Sequence, residues 1–366
     1  MAKKNVLLVA YNGMGKSGVP TLMMEILRGL HNDFSFSVVV FENIENDFYY
    51  NEIKELNIPI YTVISPKFKN PVSRFYNQYV GYHNYLYKYF VKFFKNHKFD
   101  IVHSFKEGDS SGIFKAARKN KINNRIWHVN VLHCHERGIM GAIQKNKLHL
   151  TNKYTTIRAG VSKKSCELAF SKKDYTIINN CYDEKTFRYS DYCGDDNINL
   201  LQIGYLSPNK NQLFSIKVLE ELIKLGKNCT LNFISDENDY KKVLLKEIEG
   251  KKLEKLINFY PSDCNQPELY KKTNYFLFPS IKEGFGIVLV EAQASGVTCI
   301  ASSSVPEEPN AGGVHYVDLD PKLWADKINS LYLQNKGEHQ KYDVSKYSIN
   351  TFLETNKGLY QKWKHC

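Results

Sequence analysis

Residues 278–296 read Phe278-Pro279-Ser280-Ile281-Lys282-Glu283-Gly284-Phe285-Gly286-Ile287-Val288-Leu289-Val290-Glu291-Ala292-Gln293-Ala294-Ser295-Gly296. The apolar run Tyr275 to Pro279 reads as a strand, Ile287 to Ser295 as a helix, and Gly296 as its stop. Glycines on both sides of Phe285 let the backbone approach a ligand closely. The first turn of a helix beginning at Ile287 would aim unpaired amides and the positive end of its dipole at the same place. A diphosphate suits that position, with Gly284, Phe285, Gly286, Ile287 and Val288 as its surroundings. Glu291 follows one turn on, about 6 Å beyond Ile287 at ~1.5 Å per residue, where a carboxylate accepts from paired hydroxyls such as a ribose. Glu283, at the loop tip, is within reach of sugar hydroxyls. Without a ligand, the same residues read as a glycine turn carrying two solvated carboxylates.

Working outward, short apolar runs alternate with helical patterns on both sides of this segment. Val6 to Ala10 precedes Pro20 to Leu30, and Phe36 to Phe41 precedes Asn51 to Leu56. Ile58 to Val63 and the long stretch Arg74 to His97 lead to Ile101 to Ser104, Ser111 to Lys119 and Arg125 to His128. After the polar stretch Tyr189 to Asn197 the rhythm restarts with Asn199 to Gly204 and Gln212 to Leu225. Repeated βαβ units imply parallel sheets covered on both faces. The expected fold class is α/β, with two Rossmann-like domains at residues 1–193 and 194–345. Residues 346–366 form a closing amphipathic helix.

Composition agrees with an ordered two-domain chain: 366 residues, 43% hydrophobic and 13% aromatic. The apolar run after Met1-Ala-Lys-Lys is too short for a secretory signal. No apolar stretch reaches the ~18 residues of a membrane-spanning helix. Eight cysteines without a C-x-x-C pair point to reduced thiols and a cytoplasmic location. The net charge of +12 suits a polyanionic or phosphate-bearing partner, such as an anionic membrane surface.

The segment 278–296 resembles the Glu, seven residues, Glu signature of the family 4 retaining glycosyltransferases, through Glu-Gly-Phe-Gly and the following Glu-Ala-x-Ala-x-Gly-Val. Leu201 to Asn211 is similar to the family's first strand and loop of the second domain. There Lys210 fills a basic, phosphate-contacting position and Tyr205 stands where an arginine is usual. Ile177 to Asp183 resembles the Pro-Asn-Gly-x-Asp segment near the domain junction, with Cys181 in place of the glycine, and Gly160-Val-Ser162 resembles a strand end before a helix. Ser17-Gly18 sits at the place of a glycine-rich loop close to the transferring sugar.

The resemblance implies the GT-B arrangement, two Rossmann-like domains facing across a cleft with the last helix crossing back to the first domain. It implies a sugar moved with retention from a nucleotide-diphosphate sugar, UDP- or GDP-linked, without a required cofactor or metal. The implied acceptor is a glycan or a lipid-linked glycan of a bacterial surface polysaccharide, with the enzyme at the inner face of the membrane and no nucleic acid as partner. Glu283, Lys210 and a first-domain histidine carry the chemistry. His128 is favoured because it ends an apolar strand at the carboxyl edge; His133 and His135 are the alternatives.

Three other stretches bear on rival readings. Gly15-Lys16-Ser17 follows a strand and meets a permissive P-loop pattern, so an NTPase is the rival reading, although Pro20 falls in the first helical turns. A non-catalytic nucleic-acid-binding protein is the other. Asp318-Leu-Asp320 imitates a metal-binding pair, but Asp320-Pro321 reads better as a helix N-cap and first position. The aromatic run Phe75 to Phe94, interleaved with lysines, fits either a core stripe or a headgroup interface.

Overall fold

A computed structural model describes residues 3–64, 81–106, 109–130, 138–171 and 173–362. The chain divides into two compact units, Met1–Asn180 with Asn350–Cys366, and Cys181–Ile349. The polar stretch 189–197, read from sequence as the division, is built into the second unit. The Cys193 amide donates to the Lys271 carbonyl at 2.9 Å, and the Tyr192 hydroxyl reaches Asn274 Oδ1 at 3.3 Å.

The first unit holds β1 (Asn5–Val9), β2 (Ser35–Val40), β3 (Ile60–Thr62), β4 (Ile101–Ser104), β5 (Asn124–Val129), β6 (Ile157–Gly160) and β7 (Thr176–Ile177). They form one sheet in the order β3-β2-β1-β4-β5-β6-β7, and each pairing is parallel. Its helices are α1 (Gly18–Leu30), α2 (Tyr50–Glu55), α3 (Tyr82–Asn96), α4 (Ser110–Lys119), α5 (Gly138–Tyr154) and α6 (Lys163–Phe170). Side chains alternate across a strand, so the two faces of the sheet separate cleanly. Leu7, Val9, Val102, Trp127 and Val129 join Leu86, Phe90, Phe93 and Phe94 of α3 in one core. Tyr82, Tyr85, Tyr87 and Tyr89 pack against that core from partly buried positions. The aromatic run is therefore a core stripe over its described part, and Lys88, Lys92 and Lys95 are its solvated face. Phe75, Tyr76 and Tyr79 lie outside the described residues.

The second unit holds β8 (Ile198–Ile203), β9 (Cys229–Ile234), β10 (Ile257–Tyr260), β11 (Tyr275–Phe278), β12 (Thr298–Ser302) and β13 (Val314–Val317). Their order is β10-β9-β8-β11-β12-β13, again with parallel pairings. The helices α7 (Gln212–Lys224), α8 (Tyr240–Gly250), α9 (Gln266–Lys271), α10 (Ile287–Ala294) and α11 (Pro321–Asn335) complete it. Leu200, Leu231, Phe233, Leu277 and Ile300 share a core with Trp324 of α11, whose ring meets Phe214 of α7 edge-on at 5.0 Å. Asp320 caps α11 as the sequence suggests, accepting from the amides of Lys322 and Leu323, so its carboxylate is committed to the helix.

The last helix, α12 (Ile349–Gln361), brings its residues from Asn350 onward into the first unit. Tyr360 lies edge-on to Phe34 at 5.2 Å, and Gly29 of α1 leaves the space that Leu353 fills. No helix among the described residues is long and apolar enough to cross a membrane.

Two glycines separate tight packing from open space. A methyl at Gly112 of α4 would run into the backbone carbonyl of His83 and lie 3.1 Å from the Tyr87 amide, both backbone atoms of the neighbouring segment. At Gly358 of α12 nothing lies within 4 Å. Gly112→Ala is expected to destabilise the protein by ~1–3 kcal/mol through overpacking, and Gly358→Ala to stabilise it by ~0.5–1 kcal/mol. Denaturant midpoints at constant slope measure both signs.

Candidate functional site

In the second sheet the strand order reverses between β8 and β11. Ligands of open α/β sheets bind beyond the carboxyl ends of the strands at such a reversal. The two loops leaving that point are 204–211 and 279–286, and hydrogen bonds fasten them together. The Ile281 amide donates to the Asn209 carbonyl at 2.9 Å, and the Lys282 amide to Asn209 Oδ1 at 3.1 Å. Asn209 Nδ2 returns a bond to the Lys282 carbonyl at 3.0 Å. Gln212 holds the first loop from below, donating to the Tyr205 carbonyl and accepting from the Ser207 amide. Gln202 donates to the Lys210 carbonyl at 2.7 Å.

This frame fixes the start of α10. Gly286 is its N-cap at φ 95°, a left-handed conformation that an L side chain adopts only with strain, and no side chain caps the helix. The ring of Phe278 sits 3.0 Å from where a Cβ on Gly286 would be. Phe285 between the glycines is buried and faces the Tyr347 ring at 5.9 Å, which anchors the turn. Ile287 and Val288, the first helical residues, are partly exposed.

Lys210 and Glu283, expected to address different parts of a ligand, are joined directly. Their Nζ and Oε1 are 2.5 Å apart, with 25% and 12% of the side chains exposed. Lys210 Nζ also lies 5.4 Å from the Phe278 ring centroid. Tyr205, 64% exposed, follows Gly204 on the same loop. Glu291 is only partly exposed. Burial of its carboxyl group, with the negative charge of Asp183 second, raises its pKa to about 7. Asp183 behaves oppositely. Burial would raise it, but bonds from the Thr186 hydroxyl and the amides of Lys185 and Thr186 hold it below the usual carboxylate range.

In the first sheet the order reverses between β1 and β4. Gly18 is the exposed first residue of α1, with open space around it and no side-chain cap on the helix. The Gly15-Lys16-Ser17 loop does not present a phosphate cradle. The Met14 amide donates to Asp47 Oδ2 at 2.6 Å, and a Cβ on Gly13 would meet Glu42 and Asp47 carboxylate oxygens. The Lys16 ammonium lies 5.6 Å from the Phe48 ring. Two carboxylates beside the loop repel an anion, which removes the structural basis of the NTPase reading.

His128 is not at an open strand edge. It is the fifth residue of β5 and wholly buried, on the face opposite Trp127. Its Nδ1 lies 3.3 Å from Nε2 of His103, and Phe105 covers it at 4.8 Å between ring centroids. Burial lowers its pKa to about 3, so the imidazole is neutral. His133 and His135 lie outside the described residues. Thus Lys210, Glu283 and Glu291 share the second unit's sheet edge with Gly284 to Val288, while Gly18 and His128 belong to the first unit.

Sequence reasoning passed over three groups. His103 sits inside an apolar strand, and only the period-two phasing of β4 against β5 hints that it shares a face with His128. Tyr360 is distant in sequence and gave no signal. Asn209 and the two glutamines look like ordinary loop residues until their backbone partners are known.

Residues 191–347 match the model of the family described as glycosyl transferases group 1. The capsular polysaccharide biosynthesis glycosyltransferase CapH of Staphylococcus aureus is 26% identical over 378 residues, covering 96% of this chain and 97% of that protein. Among solved structures, HepE of Anabaena in complex with UDP and glucose superposes with a TM-score of 0.72 at 14% identity, covering 98% of this chain and 99% of its own. A glycosyltransferase of Rickettsia africae gives 0.74 at 16% identity, covering 99% and 100%. These likenesses show the GT-B fold for the two α/β units.

The left-handed turn at Gly286 supplies the prediction from this geometry. Gly286→Ala is expected to cost ~1–2 kcal/mol, because it combines αL strain with contact against Phe278. Its unfolding midpoint relative to the wild type measures the cost.

Proposed function

From the match of residues 191–347 to the glycosyl transferases group 1 family, we propose that the chain transfers a sugar from a nucleotide diphosphate to a glycan or lipid-linked acceptor, with retention of configuration. The observation that carries the reading is the meeting of three features at one switch point: the uncapped start of α10, the Lys210–Glu283 pair, and the partly buried Glu291.

In this reading the diphosphate lies against the amides from Gly286 to Val288, which supply hydrogen bonds and the positive end of the helix dipole. Phosphate oxygens compete for Lys210, and the released Glu283 accepts from sugar hydroxyls. Glu291 accepts from the ribose. Charge growing on the leaving diphosphate is met by dipoles already in place, an effect of several kcal/mol when preorganised. The acceptor attacks on the face the diphosphate leaves, and no side chain is assigned as a nucleophile. Gly18, at the open start of α1, and His128 are the first unit's contribution.

The capsule protein CapH supports a surface-polysaccharide acceptor. The net charge of +12 supports work in the cytoplasm against an anionic leaflet. HepE, whose complex contains UDP, supports a uridine donor over a guanosine one.

A thermal-shift panel of UDP-glucose, UDP-N-acetylglucosamine and GDP-mannose tests the reading, since a ligand of the folded state raises apparent stability. Glu291→Ala is expected to weaken nucleotide binding about 10- to 100-fold, the range for a hydrogen bond to a charged group. Ribose hydroxyls donate to the ionised carboxylate, so affinity should rise with pH and level off above about 7. Over the same window the group's effect on folding runs the other way. A carboxylate with a raised native pKa favours the folded state less as pH climbs from its ordinary value through about 7. Calorimetry at pH about 6 and about 8 should show both trends, and Glu291→Gln should flatten both. A stabilising nucleotide whose affinity ignores residue 291 would remove the ribose assignment.

A further inference from the structure

At the amino ends of β6 and β7 lies a cavity of about 460 Å3 that the proposed transfer does not use. Reacting ligands of α/β sheets bind at the opposite, carboxyl ends of the strands. Its walls include Arg158 of β6, then Lys173, Asp174 and Thr176 leading into β7, and Lys362 just past α12. All of these residues belong to the first unit.

Arg158 is held in place from behind. Its Nε donates to Asn152 Oδ1 at 3.2 Å and its Nη2 to the Asn152 carbonyl at 3.3 Å. Asn152, buried on α5, donates in turn to the Ala169 carbonyl of α6, so two helices fix the guanidinium plane. Nη1 has no hydrogen-bond partner among the described residues, which leaves one edge of the fork free. Burial lowers the Arg158 pKa, and the negative charge of Asp174 works against that shift without reaching ion-pair distance. Lys173 and Lys362 are exposed, and among the described residues neither has a carboxylate within ion-pair distance.

Three cations thus face one carboxylate, an excess of two positive charges around one concavity. Like charges gathered this way repel one another, and a bound dianion relieves the repulsion. A phosphate monoester carries roughly −1.5 to −2 charges at pH 7 and presents its acceptor oxygens in a tetrahedral array. The fixed fork of a guanidinium matches two such oxygens, and Thr176 adds a hydroxyl-bearing side chain to the same wall. A carboxylate ligand, with a single charge, would leave one cation unmatched.

We propose that this cavity binds a phosphate monoester, with Arg158 donating from Nη1 and Nη2 to two of its oxygens and Lys173 and Lys362 neutralising the remaining charge. The site is separate from the Lys210–Glu283 edge of the second unit, and it stands whether or not the transfer proposed above is correct. Such a group is carried by a small phosphorylated metabolite or by a phosphatidic acid headgroup, and the recognition chemistry is the same for both.

Nitrogen NMR of the whole protein labelled at arginine, at fixed ionic strength, reads the contact, with Arg158→Lys identifying the Nε signal. Glucose 1-phosphate should shift that signal saturably, and glucose should leave it in place. Arg158→Lys keeps the charge but loses the fork, and should weaken binding about tenfold by calorimetry. Lys173→Gln and Lys362→Gln, at exposed positions, should each weaken it about 3- to 5-fold with the unfolding midpoint unchanged. Lys210→Gln should have no effect. Phosphatidylcholine vesicles with and without phosphatidic acid form the second arm. Co-sedimentation that requires both phosphatidic acid and Arg158, without a response to glucose 1-phosphate, supports the site and assigns it to a lipid headgroup. An Arg158 signal and a sedimentation that respond to neither probe, or affinities indifferent to Arg158→Lys and both lysine substitutions, overturn the proposal. Binding lost in Lys210→Gln but kept in Arg158→Lys overturns it as well, because the anion then sits on the second unit.

Discussion

The first amides of α10 have no side-chain cap, and that single condition organises the second unit's sheet edge. A helix start so placed needs oxygen acceptors from elsewhere. Gly286 turns the chain in a left-handed conformation that brings the amides forward, with Phe278 packed beneath. Asn209 ties the loop to its neighbour through three hydrogen bonds to backbone groups. Lys210 supplies a cation at this edge, and Glu283 is paired with it. The parallel sheet with its reversal at β8 and β11 is what allows two loops from separate parts of the sequence to meet there.

Much of the architecture was legible because parallel strands buried on both faces appear as unbroken apolar runs, and glycine marks where a helix must begin or stop. The segment 278–296 carries both signals at once. Other properties depend on partners that the local sequence does not name. His128 ends an apolar run, but its surroundings come from His103 of β4 and from Phe105. The tyrosines of α3 looked dense enough for a membrane interface, yet an inward face of Phe and Leu leaves them packed on the same core. The Gly15-Lys16-Ser17 loop resembled a phosphate cradle until Asp47 was found on the Met14 amide.

The carboxylates near the second unit's edge show how environment divides similar groups. Asp183 is held below the usual carboxylate range by the hydroxyl and amides of its own turn, whereas burial raises Glu291, and the charge of Asp183 adds to that. Glu283 has a lysine within ion-pair distance. Sequence spacing gave the places of both glutamates along the chain, while only packing shows the ion pair at 283 and the burial at 291.

The central claim concerns where the phosphates sit, and a crystal structure with UDP bound tests it most directly. The account predicts the diphosphate within hydrogen-bond distance of the amides between Gly286 and Val288, with Lys210 Nζ turned from Glu283 toward a phosphate oxygen. UDP seated on any other part of the second unit, with the Lys210–Glu283 pair still closed, would contradict it.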